Sequence, residues 1–193
     1  MNTKQKIQDY FLLHPTAKLR VRQIERKVKV ALPSAIRYAK ELEKEGILHR
    51  TIIGGVTFYT ANFGEEAYLL EKKLFNLRQL HSSGLLHHLI INYDNPTIVL
   101  FGSYAKGEDT EESDIDLYIE TPHEEIKGLE PFEEKLQREI QMFIHKNINE
   151  IGNKELIVSI LNGVTLNGFV EVFNEHHIMG KLPTKRNDKK DNS

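Results

Sequence analysis

The 193-residue chain contains no cysteine. That excludes a disulfide framework and any cysteine-ligated metal site. It has no apolar run of membrane-spanning length, and its first residues carry no signal-peptide pattern. These absences set the expectation of a cytoplasmic protein with no membrane partner. There is no internal repeat and no low-complexity tract apart from the C-terminal tail. Residues 181–193, polar and charged, are expected to be a disordered tail. A strong net charge is lacking too: the formal value is −2.

That small value hides an uneven distribution. Residues 1–60 carry 12 Lys+Arg against 5 Asp+Glu, a net of +7, while residues 61–193 carry 14 against 23, a net of −9. The asymmetry suggests two modules, the first suited to an acidic partner such as nucleic acid. A chain of this length has room for one medium domain or two small ones.

Apolar spacing predicts the elements of the first module. Ile7, Tyr10 and Phe11 share one helical face, and His14-Pro15 ends that helix. Val21, Ile24 and Val28 mark a second helix. Pro33 suits a first helical position, and Ala35, Ile36, Ala39 and Leu42 form the buried stripe of a third helix, stopped by Gly46. Strands Leu48–Ile53 and Val56–Thr60 follow, joined by the hairpin signal Gly54-Gly55. Three helices and a hairpin resemble a winged helix-turn-helix domain, here over residues 1–62. The resemblance implies that the third helix enters the DNA major groove with Ser34, Arg37, Tyr38 and Lys40 facing outward and Arg50 on the wing. Arg20, Arg22, Arg26, Lys27 and Lys29 are candidates for phosphate contacts. The plainer alternative is a module that binds protein, or simply packs, behind a solvated basic face.

Leu69, Leu70, Leu74, Leu77 and Leu80 predict a helix of about four turns from Glu65 to His81. Together with Ser82-Ser83-Gly84 it makes residues 63–84 a bridge between the modules. Leu85, Leu86, Leu89 and Ile90 predict a further helix. His81, His87 and His88 are close in sequence but point in different directions on a helix, and are read as surface or boundary residues.

The stretch richest in chemistry is Thr97 to Glu120, TIVLFGSYAKGEDTEESDIDLYIE. Ile98 to Phe101 reads as a buried strand. Gly102-Ser103 follows, then ten residues, then Asp114-Ile115-Asp116. Asp114 to Glu120 reads as a second strand, with both aspartates on one face and Ile115, Leu117 and Ile119 on the other. Two carboxylates held side by side repel unless a cation sits between them, and hard oxygen ligands suit Mg2+. A glycine at a strand end allows close approach to a phosphate, and the following amides and the Ser103 hydroxyl can hold its oxygens. Lys106 is placed to touch a triphosphate, or equally to stand in solvent.

The pattern Gly-Ser, ten residues, Asp-x-Asp resembles the signature of the minimal nucleotidyltransferases of the DNA polymerase beta superfamily. The resemblance spans roughly residues 85–175, within an expected domain of residues 85–180. It implies an ATP substrate, magnesium (two ions), and transfer of AMP to a hydroxyl. It also implies an acceptor: such proteins often act as antitoxins that modify a tyrosine of a HEPN-type toxin ribonuclease, while others modify small molecules. One position departs from the pattern. Leu129, Phe132, Leu136 and Ile140 are spaced as a helix, and Ile140 to His145 reads as a third strand. There the resemblance calls for a third carboxylate, and Gln141 lines up best. An amide ligates weakly and cannot act as a general base. Glu139, two residues earlier, is an alternative at the helix-to-strand joint. Glu120 lies about 13 Å beyond the second aspartate at strand rise, too far for the same metals.

Residues 154–173 are predicted to close the domain as one helix, with Leu156, Ile160, Leu161 and Val164 inward and Gly163 and Gly168 permitting close packing. The expected fold class is thus α+β: a winged helix-turn-helix plus a small nucleotidyltransferase domain whose mixed β-sheet is flanked by helices. Two functions remain open: a transferase with a DNA-binding module, or a catalytically weak or inactive nucleotide-sensing transcriptional regulator.

Overall fold

The computed structural model describes residues 2–172. The expectations for residues 173–193, including the tail, lie outside the described residues. Three helices open the chain: α1 (Thr3–Leu13), α2 (Val21–Val28) and α3 (Leu32–Lys44). An antiparallel hairpin follows, β1 (Leu48–Ile53) and β2 (Val56–Ala61), in register from Leu48 opposite Ala61 to Ile53 opposite Val56. Gly54 and Gly55 both take positive φ, which a two-residue hairpin turn of this kind requires. Leu19 bridges to Tyr59, so the α1–α2 connection adds a short third rung to the hairpin.

These elements enclose one core built on Ile7, Phe11, Leu12, Ile24, Ala39 and Leu42. The apolar spacing of α1 and α2 predicts it. On α3 the stripe is narrower than its spacing predicts. Ala35, Ala39 and Leu42 are buried, while Ile36 is 41% exposed. Ile36 sits about 100° round the helix from Ala35, beyond the packed face.

Helix α4 (Glu66–Ser83) joins the two halves and ends at Gly84, which has positive φ. Its Tyr68 and Phe75 belong to the first core and its Leu80 to the second. The leucines whose spacing predicts this helix are buried only in part. Leu70 and Leu74 are exposed, whereas Lys72 and Asn76 are buried. The helix turns a polar edge, not its leucines, towards the neighbouring loop.

Helix α5 (Leu85–Asn92) leads into β3 (Thr97–Phe101), the short helix α6 (Gly102–Lys106), β4 (Ile115–Glu120), α7 (Glu130–Leu136) and β5 (Ile140–His145). A 3-10 turn (Ile148–Glu150), α8 (Lys154–Leu161) and β6 (Val164–Asn167) complete the described chain. The four strands form one mixed sheet in the order β5-β4-β3-β6. Strands β4 and β5 run parallel, and β3 is antiparallel to both β4 and β6.

One face of the sheet packs Ile98, Leu100, Ile115, Leu117, Ile119 and Ile140 against α4, α5 and α7 residues such as Leu80, Leu89 and Leu136. The other face packs Val99, Phe101 and Tyr118 against Ile148, Ile151 and Ile160. Period-two alternation of side chains produces both faces from the same strands.

Two expectations are corrected here. The segment 154–173 is not one helix: α8 stops at Leu161, Val164 belongs to β6, and Leu161 is 45% exposed. The break lies at Asn162-Gly163, where a Cβ on Gly163 would stand 2.5 Å from the Leu100 carbonyl oxygen. Helix cannot continue into so close an approach to β3. Likewise α7 ends at Leu136, because Gln137 takes a left-handed conformation (φ 54), so Ile140 lies on the strand alone.

Candidate active site

Strands β3 and β4 bring the two halves of the motif together. Phe101, the last residue of β3, pairs with Asp116, and Gly102 begins α6 immediately beyond it. Gly102 takes φ 71, and a Cβ placed there would stand 2.0 Å from Asp116 Oδ2. The Asp116 carboxylate therefore lies directly over the glycine backbone, in space that any other residue would fill. Ser103 occupies the first turn of α6, and its carbonyl accepts from Glu108 at 3.0 Å. Lys106 ends the same helix with its side chain exposed.

Residue parity places Asp114 on the strand, but in the structure it precedes it: β4 begins at Ile115. Ser113 donates its backbone N–H to the Thr110 carbonyl, and the Thr110 N–H donates to the Ser113 hydroxyl at 3.0 Å. That closed turn delivers Asp114 to the strand end, exposed, beside a half-buried Asp116. Burial pushes the Asp116 carboxyl above the ordinary aspartate value, and the Asp114 charge pushes it further. A site that raises the cost of its own ionised carboxylate is one that a cation would relieve. The donor set is two hard carboxylate oxygens at a strand end, which fits magnesium. Among the described residues, no group of three or more His, Asp or Glu side chains gathers as a ready-made metal cluster.

On the neighbouring strand, Gln141 is the register partner of Asp116. Residues paired in this way share a sheet face, so Gln141, Phe143 and His145 lie with Asp116, Tyr118 and Glu120. Glu120 is engaged further along, accepting from the Tyr118 hydroxyl at 2.8 Å. Glu139 lies one residue before β5, and its carbonyl accepts from Ile115 at 2.9 Å. The residue joins Asp114 in lining a cavity of about 460 Å³, together with Glu111, Glu112, Glu133 and Arg138.

Sequence reasoning missed a second cluster. Asp109, in the loop between the two motif halves, is fully buried. Its Oδ2 accepts from Lys72 Nζ at 2.7 Å and its Oδ1 from Asn76 Nδ2 at 2.7 Å. Asn76 also donates to the Tyr104 carbonyl at 2.9 Å and accepts from Lys72 at 3.2 Å. Burial lowers the Lys72 pKa, and the Asp109 charge opposes that shift. No local signal marked it: Lys72 and Asn76 at i, i+4 read as an ordinary pair on a helix surface, and the leucines around them read more strongly as core.

The histidines are scattered. His81 and His87 are exposed, and the His88 ring lies against Phe132 at 5.1 Å.

The residues expected to meet DNA form a surface of the first core. Arg37 and Lys40 are exposed on α3, Ser34 is intermediate, and Tyr38 is partly buried under the Arg37 guanidinium, 4.3 Å from its ring centroid. Arg50 is tied back to Glu43 of α3 at 3.0 Å. Arg20, Arg22, Arg26, Lys27 and Lys29 are all exposed. Lys18 and Arg20 share the Phe58 ring on β2, at 5.2 and 5.1 Å from its centroid. Among the described residues, no helix is long and apolar enough to cross a membrane.

No curated protein and no solved structure matches this chain significantly. Residues 91–179 match the family model described as a nucleotidyltransferase domain. The matched segment holds β3, β4 and β5 with Gly102, Ser103, Asp114 and Asp116, and it supports the nucleotidyltransferase superfamily, with nucleotidyl transfer as the class of chemistry.

Proposed function

We propose that this protein transfers AMP from ATP to a hydroxyl of a partner protein, and that its first core binds DNA. In this reading Gly102 and Ser103 hold the triphosphate, with Lys106 in reach of it. Asp114 and Asp116 bind magnesium. The observation that carries the reading is the seating of the Asp116 carboxylate over Gly102, inside the segment that matches the nucleotidyltransferase model. That close approach leaves no room for a side chain between the carboxylate and the turn. Bound magnesium would neutralise charge on the α-phosphate and the leaving pyrophosphate. The chain's own part is to hold the carboxylates and turn amides in place before substrate arrives.

The partner-protein acceptor comes from the resemblance to minimal nucleotidyltransferases, whose antitoxin members modify HEPN-type toxins. The DNA reading is supported by the exposed cations on α2 and α3 and by the Lys18–Phe58–Arg20 group.

A second reading, nucleotide sensing without turnover, is favoured by one observation: an amide, Gln141, is the register partner of Asp116. Glu139 is the carboxylate that bears against it, since it shares a cavity with Asp114.

Titration calorimetry of ATP with magnesium, run beside Asp114→Ala/Asp116→Ala, tests both. Magnesium-dependent binding abolished in the variant, with pyrophosphate released in the presence of a co-expressed partner, supports the transferase. Binding without release under every partner condition supports the sensor. No binding at all removes both.

A further inference from the structure

A fully buried lysine–aspartate pair needs a reason. Burying two charges costs more than exposing them unless geometry and extra hydrogen bonds compensate, and well-packed apolar residues often do as well. Here the compensation is complete for Asp109 and Asn76, while a second buried cation, Arg138, stands 4.0 Å from Asp109 Oδ2 with no partner for its Nε among the described residues. Both Asp109 oxygens accept a short bond, and each Asn76 side-chain atom is used. The arrangement is also sited where position matters. Asn76 Nδ2 holds the carbonyl of Tyr104, two residues after Gly102, and the carboxylate of Asp109, five residues before Asp114. One amide on α4 thus grips both arms of the motif loop.

The seam is close-packed as well. Gly107 takes φ 75, and a Cβ on it would meet the Leu69 carbonyl oxygen at 2.7 Å. At Gly107 the chain rests against the α4 backbone. Further along, Thr16 donates its N–H and hydroxyl to Glu111 at 3.2 and 3.0 Å, so the α1–α2 turn touches the same loop.

We propose that Asp109, Lys72 and Asn76 are positioning residues that set the separation between the Gly102-Ser103 turn and the Asp114/Asp116 pair. All three are buried, at 1% exposure or less, so none is placed to reach a substrate. They act through the loop, and because α4 also carries Tyr68 and Phe75 of the first core, they fix the site relative to that core. The inference rests on the reading of Asp114 and Asp116 as the metal–nucleotide site.

The test uses the full chain and two readouts: MgATP affinity by calorimetry, and the rate of tryptic cleavage after Lys106, which needs no ligand. Asn76→Ala removes the grip while leaving the Lys72–Asp109 pair intact. It is expected to weaken MgATP by about tenfold or more, since a catalytic or binding group displaced by about 1 Å can cost ~100-fold. It is also expected to speed cleavage after Lys106. Ile24→Val, a truncation in the first core remote from the site, controls for reduced stability and is expected to leave both readouts at wild-type values. If Asn76→Ala does not fold, Asn76→Ser, whose single hydroxyl donor cannot bond the Tyr104 carbonyl and Asp109 at once, takes its place with the same expectations. Wild-type binding that Asn76→Ala leaves unchanged, with cleavage also unchanged, overturns the inference alone. Equal losses in Ile24→Val reduce the cluster to general stability and overturn it too. A wild-type chain that binds no MgATP fails the underlying reading, and the inference falls with it.

Discussion

The charges of the first core and those of the sheet half are used in opposite ways. On α2 and α3 the cations stand in solvent, and the ion pairs that reach α3 from α1 and β1, Lys4 with Glu41 and Arg50 with Glu43, lie at the surface. In the sheet half, Asp116 is half-buried against a glycine, and Asp109 is wholly buried between Lys72 and Asn76. An exposed cation has many conformations and many possible partners, so it signals the sign of a ligand and little else. A buried carboxylate has one conformation, so a change of a single atom beside it has a large effect. Substitutions should therefore separate the two regions by magnitude.

The largest effect is expected at Gly102→Ala. The added Cβ falls 2.0 Å from Asp116 Oδ2, and φ 71 is strained for alanine. The carboxylate must move, and calorimetry should show MgATP affinity lower by ~100-fold or more with the circular dichroism spectrum of the fold retained. A much smaller drop would mean that Asp116 is not held where the site needs it.

Gln141→Glu comes next. It places a carboxylate beside Asp116 in the parallel register. If turnover lacks only a base at this position, pyrophosphate release with a suitable acceptor should rise by ~100-fold, the lower range for general-base catalysis. Without magnesium the same variant should be less stable than wild type, because a third charge joins Asp114 and Asp116, and magnesium should reverse that deficit. Unchanged release would point to Glu139 as the working carboxylate.

The third effect is in pH. The Asp116 pKa is raised by burial and by Asp114. The folded protein therefore holds a proton that the unfolded chain has given up, between the ordinary aspartate value and the raised one. Stability falls as pH rises through that window and is regained as pH falls through the folded pKa. Metal binding has the opposite dependence, since it requires the ionised form. Mn2+ or Mg2+ affinity should rise with pH by up to about tenfold per unit below the raised value, flatten above it, and show no such dependence in Asp116→Asn.

How much of this was legible follows the same division. Strands β3 and β5 could be read because their apolar residues run or alternate against a buried sheet, and Gly54-Gly55 fixed the hairpin. The motif halves could be read because the residue types and spacing carry the chemistry. β6 could not, because Leu156, Ile160, Leu161 and Val164 keep helical spacing, and only Asn162-Gly163 marks the break. The Lys72–Asp109 pair was hidden for a different reason. Its partners are 37 residues apart, and no local pattern says which lysine of a charged helix will be buried. Leu70 and Leu74 look more like core than Lys72 does, and only the tertiary packing reverses the order.

The smallest effects are expected on the first core, and they sharpen the comparison by their form. Arg50→Ala breaks an exposed pair with Glu43, and such pairs contribute ~0–1 kcal/mol, so the unfolding midpoint should barely move. Arg37→Ala and Lys40→Ala should likewise leave stability unchanged, since both side chains are exposed on α3. Their consequence is expected in the salt dependence of DNA binding instead. Removing one cation that neutralises a phosphate should reduce the slope of log affinity against log salt by about 0.9 for duplex DNA. A lower slope with little change in sequence preference would assign that residue to the backbone, and an unchanged slope with altered preference would assign it to a base edge. Affinity that responds to neither substitution, nor to Arg20→Ala at the Phe58 ring, would leave the basic surface as a solvated face and shift the weight of the molecule's function to the buried carboxylates.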